Sequence, residues 1–171
     1  NVTARTNEPH IKVFEEEREL TLMLVVDVSA SGNFATHQAF KRDIITEIAA
    51  TLAFSATQNN DKVGLILFSS KIELYIPPKK GRSHVLRIIR ELIEFKPEEK
   101  TTDIGNALKF LSDVLKKRSI AFVLSDFVDD KYKTKIQIAA QKHDITGIRI
   151  YDRRETELPD LGLMKITDNE T

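Results

Sequence analysis

Apolar positions along this chain follow two rhythms. Three short stretches are apolar almost without interruption: Leu20–Val26, broken only by Thr21, then Val63–Phe68 and Ile120–Leu124; Ile145-Thr-Gly-Ile-Arg-Ile150 reads as a fourth strand. Runs this short and this continuous suit strands buried on both faces of a sheet, not strands with one wet side. Between them the apolar residues recur at three- and four-residue steps. Phe40, Ile44, Ile45, Ile48, Ala49, Leu52, Ala53 and Ala56 predict a long amphipathic helix over about 36–57. Val85, Ile88, Ile89 and Leu92 predict a second over 83–95. Ile104, Ala107, Leu108, Leu111 and Leu115 predict a third, with Lys116, Lys117 and Arg118 as a basic last turn that complements the helix dipole. Ile136, Ile138, Ala139 and Ala140 mark a fourth over 131–142.

The alternation of Ile72–Ile76 reads as an edge strand closed by Pro77 and Pro78, since proline is tolerated at edges. Leu163–Ile166 is a short last strand, and residues 10–15 read as an edge strand or an extended arm. Strands alternating with helices call for an α/β fold, three-layered and doubly wound, with a mainly parallel central sheet flanked by helices. The 71–76 strand is expected antiparallel at an edge. Residues 1–171 form one domain on this reading, because the length supports one sizeable core and not comfortably two.

The first buried run ends on Asp27, and Ser29 and Ser31 follow at alternate positions. In an open α/β sheet, ligands bind beyond the carboxyl ends of the strands. A carboxylate and two hydroxyls placed there make a small, hard, oxygen-lined pocket of the kind that suits a magnesium-like ion. The plainer alternative is that Asp27 caps the next helix through backbone N–H groups. The third buried run also ends on a polar pair, Ser125-Asp126, and a helix opens on Thr102-Asp103. If these strands are neighbours, Asp27, Ser29, Ser31, Thr102 and Asp126 converge on one rim. Two carboxylates about 5 Å apart repel by about 3 kcal/mol at an effective dielectric of 20, and a divalent cation relieves this. With hydroxyls and only two carboxylates, Mg2+ is favoured; Mn2+ and Ca2+ also fit the oxygen set.

Composition narrows the classes. Lys plus Arg and Asp plus Glu both number 26, so the net charge is zero, and the basic excess of a nucleic-acid surface is missing. There is no cysteine, which excludes disulfides, thiol catalysis and zinc–thiolate sites. No apolar run approaches the ~20 residues of a membrane span, and no signal peptide is visible, so a cytoplasmic setting is expected. The chain begins at Asn1 without methionine and reads as part of something longer. The four histidines have no metal-ligand spacing and read as structural, and the basic loop at 79–82 reads as solvated. Asp103 is expected to cap its helix, and Asp129 and Asp130 to cap the one that follows them.

Asp27-Val-Ser29-Ala-Ser31, Thr102 in Thr-Asp-Ile, and Asp126 in Leu-Ser-Asp resemble, in order, the metal-ion-dependent adhesion site of von Willebrand factor type A (vWA) domains. The resemblance implies that the serines and the threonine contact the ion directly or through water. It also implies that the aspartates act largely through bound waters, and that a partner carboxylate supplies the last ligand. Gly32 stands where that family usually has a hydrophobic residue. Asn1–Thr6, Phe14 to Leu20, Ser125-Asp126-Phe127, His143-Asp144, and Leu158-Pro159 through Thr171 narrow the likeness to the bacterial "domain of unknown function 58" family. Its members have a segment upstream of the position of Asn1 and are often encoded beside MoxR-type AAA+ ATPases, some in operons linked to aerotolerance. That implies an adaptor or partner role.

The expected function is therefore a non-enzymatic, metal-dependent protein-interaction module whose partner donates an acidic side chain. A phosphoryl-transfer or hydrolytic enzyme is the alternative, as is a structural domain with an empty site. The enzyme reading lacks a D-x-D pair, a G-x-x-x-x-G-K loop and a G-x-G-x-x-G turn, and Ser29 and Ser31 have no base placed beside them.

Overall fold

The computed structural model describes residues 19–30, 35–128 and 130–151, and the backbone alone of 163–166; for 35–37 the side chains are not described. Six strands form one sheet: β1 (Thr21–Asp27), β2 (Lys62–Phe68), β3 (Ile72–Lys79), β4 (Ile120–Ser125), β5 (Asp144–Arg149) and β6 (Leu163–Ile166). Their order is β3-β2-β1-β4-β5-β6. β2, β1, β4 and β5 run parallel, while β3 and β6 are antiparallel at the two edges. The strand expected antiparallel at an edge is therefore so. Three of the four parallel strands, β1, β2 and β4, are the continuous apolar runs, and Met23, Leu24, Val25, Leu65, Ile66 and Val123 are all fully buried.

Two helices cover each face. α1 (Ala35–Gln58) and α2 (Arg82–Glu94) share one core with Leu22, Leu24, Val26, Leu65 and Leu67. α3 (Ile104–Val114) and α4 (Lys133–Lys142) share the other with Met23, Val25, Ile66 and Val123. In α1 the residues pressed closest to the sheet are the small ones, Ala49, Ala53 and Ala56. Phe40, expected on the same apolar face, is instead 59% exposed.

Several local expectations need correction. β3 does not stop at Ile76 but continues through Pro77 and Pro78 to Lys79. Its edge position tolerates two missing N–H groups, and the pairing steps irregularly there, from Leu65 with Ile76 to Val63 with Lys79. α3 ends at Val114, so Lys116, Lys117 and Arg118 lie beyond it and are not its last turn. Arg118 instead donates to the Gln141 carbonyl and pairs with Asp144, joining two chain segments. The N-cap of α4 is Tyr132, with no side-chain cap bond, so Asp130 does not cap it. Asp129, the strand or arm expected at 10–15, and the Arg153-Arg154 pair, which the sequence places in a solvated turn, fall outside the described residues.

The strand order places a topological switch between β1 and β4, because the chain winds from β1 to β2 on one side and returns to β4 on the other. At such a point the loops above the carboxyl ends diverge and leave a crevice between them.

Candidate functional site

Asp27 ends β1 at that crevice and is 8% exposed. Its Oδ1 accepts the Ser29 amide at 2.9 Å, which folds the loop back over the strand end. Its Oδ2 accepts two hydroxyls, from Thr102 at 2.9 Å and from Ser125 at 2.7 Å. One carboxylate thus gathers the loop after β1, the loop before α3 and the end of β4.

The backbone holds each donor in place. The Val28 amide donates to the Phe68 carbonyl at 2.8 Å, joining the tops of β1 and β2. The Asp103 amide donates to the Ser69 carbonyl at 2.9 Å, which suspends Thr102 above β2 and within reach of β1. Asp103 then caps α3, its Oδ1 accepting the Asn106 amide at 3.0 Å, as its place in the sequence suggested. The Ile150 amide donates to the Ser125 carbonyl at 2.9 Å, fixing the top of β4 to the chain after β5. Ser125 Oγ also accepts the Phe127 amide at 3.1 Å. Phe127 has a φ of +54°, in the left-handed region. Its ring is buried against Tyr132, edge to face, with centroids 5.6 Å apart.

Burial pushes the Asp27 carboxyl above its ordinary range, opposed by hydrogen-bonding groups of Ser29 and Ser125 and reinforced slightly by the Asp126 charge. The Ser29 hydroxyl is near enough to stabilise the carboxylate yet lacks hydrogen-bond geometry: Ser29 Oγ is buried with no partner. Leaving a buried hydroxyl unmet costs about 1–3 kcal/mol. Thr102 spends its proton on Asp27, so its lone pairs remain for another ligand.

Of the five residues marked in the sequence, Asp27 and Thr102 are joined directly, and Ser29 meets Asp27 through its amide. Asp126 is half-buried at the same rim, its Oδ1 accepting the Val128 amide at 3.3 Å. Ser31 lies outside the described residues. Ser125 was not marked, although it contacts the carboxylate that Asp126 was expected to accompany. Alternation along β4 was the available signal, because successive side chains point to opposite faces and, with Val26 paired to Leu124, only Ser125 of the pair shares the face of Asp27. Among the described residues, no three His, Asp or Glu side chains cluster as a metal site. A site built on hydroxyls with two carboxylates would not form such a cluster.

The family described as "Protein of unknown function DUF58" matches residues 1–171. The uncharacterized protein Rv1480 of Mycobacterium tuberculosis is 30% identical over 99% of this chain, and the chain spans 55% of that relative's length. Among solved structures, the conserved hypothetical protein BatB from Bacteroides thetaiotaomicron superposes with a TM-score of 0.62. It is 17% identical, over 76% of this chain and 66% of that one. Proximal thread matrix protein 1 from the mussel byssus, with a zinc-occupied MIDAS motif, superposes with a TM-score of 0.59. It is 16% identical, over 78% of this chain and 38% of that one. The fold is vWA-like, as these superpositions show. Among the described residues no helix is long and apolar enough to cross a membrane.

Proposed function

The chain belongs to the DUF58 family, and we propose that it is a non-enzymatic interaction module that holds a divalent cation, Mg2+ before Mn2+ or Ca2+, at the Asp27 rim. Asp27, Ser29, Ser31, Thr102 and Asp126 would hold the ion, as in the adhesion site that the motif resembles. The observation that carries this reading is the orphaned Ser29 hydroxyl beside a buried carboxylate. A cation there would give that oxygen a partner and favour the charged form of Asp27, which burial alone disfavours. The donors are hard oxygens, which suits magnesium chemistry. The bound ion would supply an electrophilic position for an acidic side chain of another protein.

The enzyme alternative finds little support in the two histidines whose side chains are described. His84 Nε2 bonds the Val63 carbonyl and His143 Nδ1 accepts the Ser119 amide, both at the opposite end of the sheet from Ser29. The partner surface would be the rim of Ser29, Thr101 to Asp103 and Asp126 to Val128, where Thr101 and Val128 are exposed. The likeness to proteins encoded beside MoxR-type AAA+ ATPases makes such an ATPase system the first partner to test.

Thermal unfolding in EDTA and in magnesium tests the metal. For a dissociation constant of about 1 mM, 10 mM Mg2+ stabilises by about 1.4 kcal/mol, a melting shift of about 3–6 °C at this size. Asp27→Ala is expected to abolish the shift. A shift undiminished in that variant would move the ion elsewhere. In a pull-down, Thr102→Ala and EDTA should each weaken capture of the partner without adding, and capture indifferent to both would overturn the interaction reading.

A further inference from the structure

A cavity of about 150 Å³ opens beside the Asp27 rim, on the side covered by α1 and α2. Its walls include Val26, Ile45, Leu92 and Ile150, and Asp27 and Asp126 border it. Arg42 of α1 also lines it. The Arg42 Nε donates to the Leu92 carbonyl at 3.3 Å, which anchors the guanidinium across the gap between α1 and α2. Its Nη2 is buried and has no hydrogen-bond partner. A guanidinium does not surrender its charge in a protein, so a buried N–H left unmet there is costlier than a neutral one. An anion that brought its own acceptor oxygens would remove that cost.

Shape and charge select the anion. A volume on the order of 150 Å³ admits a benzene-sized apolar group, and the apolar walls favour an aliphatic stem over a compact, strongly hydrated ion. The lining sets two carboxylates, Asp27 and Asp126, against two cations, Arg42 and Lys41, so it offers no net positive charge to a doubly charged phosphate and suits a singly charged carboxylate better. A carboxylate also matches the planar fork of a guanidinium. We propose that this cavity is a subsite for a carboxylate on an aliphatic stem, received by Arg42 next to the cation-binding rim. It rests on the function proposed above only in assigning that carboxylate to a partner protein, which would engage the rim and the cavity together. The carboxylate can come from an acidic side chain or from a chain terminus, and both present the same head group.

The test follows the Arg42 Nε–H resonance, and the amides of Ile45 and Leu92, in 1H–15N spectra of the full chain. Titrations in EDTA use three probes: N-acetyl-leucine for a chain terminus, the α-amide of N-acetyl-glutamate for a side chain, and N-acetyl-leucinamide as the neutral control. At least one carboxylate should shift these signals saturably, at least tenfold more tightly than the neutral amide, and the tighter of the two identifies the source. Arg42→Gln should lose this preference, with Arg42→Lys as a charged variant that keeps the stem and weakens binding by losing the fork. Equal binding of the neutral amide, or a carboxylate preference that survives in Arg42→Gln, would overturn the subsite. EDTA keeps this readout apart from the cation: failure of the magnesium shift leaves the Arg42 response standing, and failure of the Arg42 response leaves the magnesium shift standing.

Discussion

The Ser29 hydroxyl is the residue-scale feature with the clearest consequence. Because it is buried without a partner, Ser29→Ala should cost the metal-free protein nothing or stabilise it slightly, by up to about 1 kcal/mol. The same variant should bind magnesium measurably more weakly in calorimetry. A loss of stability in EDTA as large as that of a core truncation would contradict this account. His143 is also 1% exposed, and its Nδ1 accepts the Ser119 amide. Burial, with Arg118 and Lys142 nearby, holds its pKa below the ordinary 6.5, against a smaller opposing pull from Asp144. Protonating it in the fold would break the Ser119 bond, whereas the unfolded chain accepts the proton freely. Its contribution to stability is therefore full above about pH 6.5 and falls as the pH drops through that value. Urea midpoints measured from about pH 8 to 5 should decline less in His143→Gln than in the parent protein. The motif made Asp27 and Thr102 legible in the sequence. Ser125 was hidden because a serine ending a buried strand resembles any polar stop. Arg42 was hidden because an arginine one turn from Ile45 in a long helix reads as solvated surface.

At the scale of elements, the buried runs were legible because parallel strands covered on both faces need continuous apolar sequence, and three such runs were present, with β5 showing only spaced isoleucines. Element ends were less legible. The extension of β3 through Pro77 and Pro78 depends on lying at an edge, which is a property of the assembled sheet and not of the segment. The end of α3 at Val114 comes before Leu115, whose apolar character kept the helical rhythm going after the helix had stopped. Two substitutions test the packing. A Cβ at Gly64 would lie 2.5 Å from Met23 Sδ and 2.9 Å from the Ile76 carbonyl oxygen. The thioether can move, but the backbone of β3 cannot move without disturbing its pairing. Gly64→Ala should therefore cost about 1–3 kcal/mol in chemical denaturation. Asp103→Ala removes the cap of α3 and should cost about 1 kcal/mol. It should also weaken magnesium binding, because the same turn carries Thr102.

For the whole molecule, the site depends on topology more than on any one loop. Asp27 meets donors 75 and 98 residues away in sequence, and they converge because β1 lies between β2 and β4 with all three running the same way. The strand order follows from no local signal, which is why the sequence could state the convergence only as a condition. The two prolines of β3 carry a different consequence. An outermost strand offers its free backbone groups to any unfolded or misfolded chain, and amyloid-like stacking begins on such templates. Pro77 and Pro78 interrupt that template, because neither has an N–H to give to a strand docking from outside. Replacing both with valine should leave the fold in place but shorten the lag before thioflavin-positive aggregates form on prolonged warming. The same gap makes this edge a poor place for a second chain to add a strand.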